Sequence, residues 1–142
     1  MPRALILASA LLAATAGQAA ALELRVTVTG IAHANGQVRT ALYDGPDGFR
    51  DEPDARVVAT RAAAAAESGA MTVVFDGLSA GEHAVIITHD ENGNGRMDRF
   101  LGMIPTEGYG LSNDPAVTGP PAFADCAFPV TADTSIVVPL NY

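Results

Sequence analysis

The feature that most constrains this chain is the strict alternation of Leu22–Thr29, LELRVTVT. Leu22, Leu24, Val26 and Val28 fall on one side; Glu23, Arg25, Thr27 and Thr29 fall on the other. A period of two with β-branched residues is the pattern of a strand with one buried face. Asn35-Gly36 is a turn dipeptide suited to a tight hairpin, and Gln37–Tyr43 reads as the returning strand, with Val38, Thr40 and Leu42 on one side. Met71–Phe75, His83–His89, Ala127–Val130 and Ser135–Leu140 read as further strands. His83–His89 has apolar residues on both faces, which predicts a central strand covered from both sides. Phe49–Gly69 is ambiguous: the alanines at 62–66 favour a helical turn, whereas an irregular edge strand fits the flanks.

No run has the 3.6-residue period and length of a stable helix, and 14 Gly and 9 Pro punctuate the chain. The expected fold is all-β: an antiparallel two-sheet β-sandwich of about seven strands, with a small closed barrel as the alternative. The segment from Asp90 to about Phe123 reads as one long connection, and connections of that length in compact domains are usually functional.

Residues 1–21 carry one Arg, an apolar run and small residues around Ala19–Ala21. That is the pattern of a signal peptide, and the run is shorter than the roughly 20 residues a membrane span needs. The expectation is a cleaved leader at 1–21, a single domain at 22–142, a periplasmic or secreted location and no membrane span after cleavage. The one cysteine, Cys126, has no internal disulfide partner and is expected in the core. All 8 basic residues are Arg, set against 16 acids for a net charge of −8. That balance argues against a nucleic-acid binder, which must neutralise phosphates.

One stretch carries chemistry. In Asp90-Glu-Asn-Gly-Asn-Gly-Arg-Met-Asp98, the side chains of Asp90, Asn92, Asn94 and Asp98 and the carbonyl of Arg96 occupy positions one, three, five, nine and seven of a calcium loop. Gly95 takes position six, but Leu101 stands where the bidentate Glu belongs, so Glu107 is the expected completing ligand for Ca²⁺. The alternative is a polar turn, which Asn-Gly pairs favour by themselves. Zinc is disfavoured because His83 and His89, six apart on one strand, do not form a compact pair.

Catalytic patterns are weak. Ser112 lacks the G-x-S-x-G elbow, and no phosphate-cradling glycine loop is present. His89-Asp90 at a strand end, with Glu107, is the best acid–base set.

Three longer strings then appear in order: Phe75-Asp-Gly-Leu-Ser-Ala-Gly-Glu-His-Ala-Val85, Gly102-Met-Ile-Pro-Thr-Glu-Gly-Tyr-Gly-Leu-Ser-Asn113 and Pro121-Ala-Phe-Ala-Asp-Cys-Ala-Phe128. With the Asp90–Asp98 loop between the first two, the chain resembles the bacterial exported DUF2141 family. The resemblance implies a small β-sandwich similar to transthyretin-like and carboxypeptidase-regulatory-like modules, with the loop and the Pro105–Gly110 segment together at one end. The family pattern has an aromatic residue where His83 stands and Phe where Leu111 stands. The expected function is a non-catalytic binding or structural module of the cell envelope. Its surface, around Glu107, Tyr109, Ser112 and Asn113, would meet an envelope protein or a glycan. The rival is a small hydrolase using His89, Asp90 and Glu107.

Overall fold

The structure, a computed structural model, describes residues 20–51 and 55–142. Most of the expected leader therefore lies outside the described residues. The described residues are all-β apart from two single turns of helix. In order the elements are β1 (Leu22–Thr29), β2 (Gln37–Tyr43), β3 (Arg56–Arg61), α1 (Ala63–Ala66), β4 (Ala70–Leu78), β5 (Gly81–Asp90), β6 (Arg99–Phe100), β7 (Ile104–Pro105), β8 (Gly108–Leu111), α2 (Phe123–Cys126), β9 (Phe128–Val130) and β10 (Thr134–Pro139). The described residues thus hold ten strands rather than seven. The extra ones arise because the segment after Asp90 contains β6, β7 and β8, and because the ambiguous 49–69 stretch supplies both an edge strand, β3, and the helical turn α1.

The strands form a three-stranded sheet, β10-β1-β4, and a five-stranded sheet, β3-β2-β5-β8 with β9 also on β5. A small hairpin pairs β6 with β7. Two expectations are corrected here. β1 and β2 are not a hairpin; they lie in different sheets, because each finds longer pairings elsewhere (β1 with β4, β2 with β5). The first sheet is not purely antiparallel, since β10 runs parallel to β1 from Leu24↔Thr134 to Thr29↔Pro139.

Alternation explains the core. Leu24, Val26 and Val28 of β1 and Val73 and Phe75 of β4 meet Val38 and Leu42 of β2 and Val85 and Ile87 of β5 in one buried cluster. Each fully buried aliphatic side chain contributes about 1.5–3 kcal/mol. The other face of β5 is covered too: Ala84 packs with Leu111 and Cys126, with Phe49, Ile86, Tyr109 and Phe123 against them. β5 is therefore the central strand its composition predicts.

β5 shares one partner position between two short strands, β8 at Ile86–His89 and β9 at Gly81–His83. Ser112 closes the gap. Its backbone N–H reaches Val85 O at 3.0 Å, and its Oγ accepts from Val85 N at 2.9 Å and donates to Cys126 O at 2.5 Å. The chain after β10 then changes sheets. Leu140 N–H bonds Thr29 O beside β1, and Asn141 exchanges two 2.8 Å backbone bonds with Tyr109 of β8. That crossing carries Tyr142 to the end of β5.

Candidate functional site

The long segment after β5 is held by two carboxylates buried at its foot. Asp90 has no exposed surface and Glu107 only 6%. Asp90 Oδ1 accepts from Asn94 N at 3.0 Å, and Oδ2 accepts from Gly95 N and from Gln37 Nε2, both at 2.9 Å. Burial raises the Asp90 carboxyl, but the bonds from Gln37, Gly95, Asn94 and Gly93 outweigh it and hold the group below the usual carboxylate range. Glu107 spans the loop from the other side: Oε1 accepts from Glu91 N and Oε2 from Asp98 N, each at 3.0 Å.

The remaining residues of the expected calcium loop converge on the same turn. Asp98 accepts from the side-chain amides of Asn92 at 2.6 Å and Asn94 at 2.9 Å. The side-chain oxygens of Asn92 and Asn94 take the N–H groups of Asn94 and Arg96, at 3.0 Å each. Asp90, Asn92, Asn94, Asp98 and Glu107 are thus brought together as their spacing predicts. Their oxygens accept from donors of the loop and, at Asp90, also from Gln37 of β2.

The three residues of the rival catalytic set each bond to other groups. His89 and Asp90 are neighbours on a strand and leave it on opposite faces. His89 has no exposed surface; its Nε2 faces Asn35 O at 2.7 Å and its Nδ1 faces Tyr142 Oη at 2.5 Å. Among the described residues no hydrogen bond joins any two of His89, Asp90 and Glu107. His83 is at the far end of β5, bonded to Asp44 at 3.0 Å and Ser79 O at 3.0 Å.

The expected binding residues separate by role. Ser112 is fully buried in the seam described above. Asn113 is exposed, has φ 67°, and donates its amide to Ala127 O at 2.7 Å. Tyr109 alone of the three faces the cavity.

That cavity, of about 1160 Å³, lies between the outer face of the five-stranded sheet and the segment that crosses it. Register sets its floor. Ala41 of β2, Ile86 of β5 and Leu111 of β8 form one row, and Thr88 and Tyr109 the next. The β6–β7 hairpin makes one wall with Met103 and Ile104, and Phe100 and Leu101 stand exposed beside them. Arg50, Arg96 and Arg99 also line it. Arg96 pairs with Asp98 at 3.9 Å; among the described residues Arg50 and Arg99 have no ion pair. Neither arginine stands out in the sequence, because Arg50 lies in an ambiguous loop and the two approach one rim from different segments.

The geometry defines an all-β protein with a loop-roofed cleft on its larger sheet. The chain belongs to the DUF2141 family, described as an uncharacterized protein conserved in bacteria, whose family model matches residues 26–137. No curated protein and no solved structure matches the chain.

Proposed function

We propose that the chain is an exported, non-catalytic β-sandwich binding module of the bacterial envelope. Its cleft takes a small ligand with an apolar body and an acidic group. The observation that carries this reading is the pairing of an apolar floor with Arg50 and Arg99, which have no ion pair among the described residues, at the edge of a cavity of about 1160 Å³. Ligand sites are concave and mostly apolar, with a few polar groups that orient the ligand. Three of the 8 Arg of a chain of net charge −8 gather at this one cavity. Arginine there suits a planar carboxylate, or the oxygens of a tetrahedral sulfonate. The apolar run at 4–16 supports export, and the burial of His89 supports a binding role over catalysis.

Anilinonaphthalene sulfonate, an apolar dye with one anionic group, tests the proposal. One saturable site is expected, with affinity falling about 10-fold or more in Arg99→Ala and in Arg50→Ala, the loss of one charge-assisted bond. Binding that neither variant weakens would overturn the reading.

Calcium at the loop is the second reading, favoured by the convergence of Asp90, Asn92, Asn94 and Asp98 on one turn. To bind, the ion would have to displace the amide donors from Asp98. A thermal melt in EDTA and then in millimolar Ca²⁺, with Mg²⁺ as control, decides it. A site at 100 times its dissociation constant adds about 2.7 kcal/mol. A rise lost in Asp98→Asn supports the ion; no rise leaves the turn held by its own hydrogen bonds.

A further inference from the structure

We propose that His33, His89 and Glu91 form a second site, for a divalent transition metal of the zinc class, at the end of β5 beside Tyr142. One ligand atom from each of the three residues lies within 4.8 Å of the others. His33 Nε2 and Glu91 Oε1 are 3.3 Å apart. Ligands at about 2.0–2.2 Å around a tetrahedral ion are themselves separated by roughly 3.3 Å. That edge of the polyhedron is already in place.

The buried member is oriented as a ligand. Asn35 O can only accept, so His89 donates Nε2–H to it, and the lone pair sits on Nδ1. Metal-binding imidazoles characteristically donate their other nitrogen to a backbone carbonyl in this way. Nδ1 meets the Tyr142 hydroxyl, which also accepts Ala32 N–H at 3.1 Å. With its lone pair on Nδ1, His89 accepts the Tyr142 O–H, the bond an ion would replace, and the phenol oxygen is then a fourth ligand atom beside two nitrogens and one carboxylate oxygen. Gly108 makes room for it: a Cβ there would stand 2.5 Å from the Tyr142 ring.

The other two members are open to solvent. The side chains of His33 and Glu91 are 35% and 30% exposed, and the His33 ring lies 4.6 Å from the His89 ring. His33 Nδ1 is buried with no hydrogen-bond partner among the described residues, an unmet demand that a bound water or ion nearby can answer. Two imidazoles and one carboxylate suit zinc, copper, nickel or iron, and disfavour calcium. Glu91 opens the long segment, and its N–H is held by Glu107, so a bound ion would tie the loop entrance to β5 and to the turn at Asn35.

The test is Zn²⁺ titration of the purified chain by calorimetry, with Co²⁺ and its visible absorption as reporter of tetrahedral geometry. One equivalent is expected. His33→Ala and Glu91→Gln, both at partly exposed positions, are expected to keep the wild-type circular dichroism and to lose more affinity than the roughly 10–100-fold of an outer partner. Asp98→Asn, which alters the neighbouring turn, is expected to leave zinc binding intact. No stoichiometric binding, or wild-type affinity in both His33→Ala and Glu91→Gln, would overturn the site.

Discussion

Glu107 Oε2 accepts the backbone N–H of Asp98 at 3.0 Å across nine positions of chain, while Oε1 accepts that of Glu91 at the same distance. One carboxylate thus closes both ends of the turn. Glutamine keeps the shape but offers one acceptor and one donor, so one N–H must face an NH₂ group. Glu107→Gln is expected to destabilise the chain by about 1–3 kcal/mol. The fall in melting temperature, read by differential scanning calorimetry, would be about 4–12 °C. An unchanged melt would show that the turn does not depend on this bridge.

Gly36 supports the same turn from below. It has φ +62°, and a Cβ on it would collide with the Asp90 carbonyl oxygen and stand 2.7 Å from the Glu91 carbonyl carbon. Gly36→Ala is expected to cost roughly 2–4 kcal/mol, from left-handed strain plus overpacking. Gly93 also has positive φ, 72°, but a Cβ there meets nothing within 4 Å. Gly93→Ala should cost only the strain, about 1–2 kcal/mol. Equal losses in urea unfolding would remove the close approach as the cause.

Asp90 predicts an acid dependence. Its folded carboxyl titrates below the usual range, against the effect of burial, because four groups hydrogen-bond the charged form. The stabilisation is complete above the unfolded value of about 4 and is lost as pH falls through the lower folded value. Asp90→Asn is expected to be less stable than wild type at pH 7, with the gap narrowing below about pH 4. Denaturant unfolding across that range measures it. A gap independent of pH would mean that the charge contributes nothing.

Cys126 is fully buried, and burial, helped by the charge of Asp125, pushes its thiol up to about 11. At pH 8 only about one molecule in a thousand then carries the thiolate, the reactive form. Native chain is expected to resist a disulfide reagent for hours and to label completely once unfolded. Rapid native labelling would contradict the buried position.

The local layer of this fold was legible in the residues. β1, β2 and β5 follow from alternation and double-sided apolarity, because a strand's pattern is written by its own side chains. The turn from Asp90 to Asp98 was legible because its internal partners lie within a few positions, whereas the bond from Gln37 to Asp90 spans 53. Pairing was not. That β10 lies parallel to β1, and that β2 leaves β1 for β5, depends on which sheet faces bury together, a choice no single segment contains. Ser112 looked like a surface group and is a buried seam because β8 and β9 leave a gap on β5. His33 and Tyr142 carried no signal beside His89, which lies 56 and 53 positions away, until the chain after β10 crossed from one sheet to the other. By itself the sequence determined the strands with alternating or doubly apolar side chains, the acidic turn and the all-β class, all of them short-range, and it missed the short strands β6, β7 and β8. Only the tertiary structure decided the cleft and the histidine cluster, because both are made where separate elements are brought together by burial of a shared core.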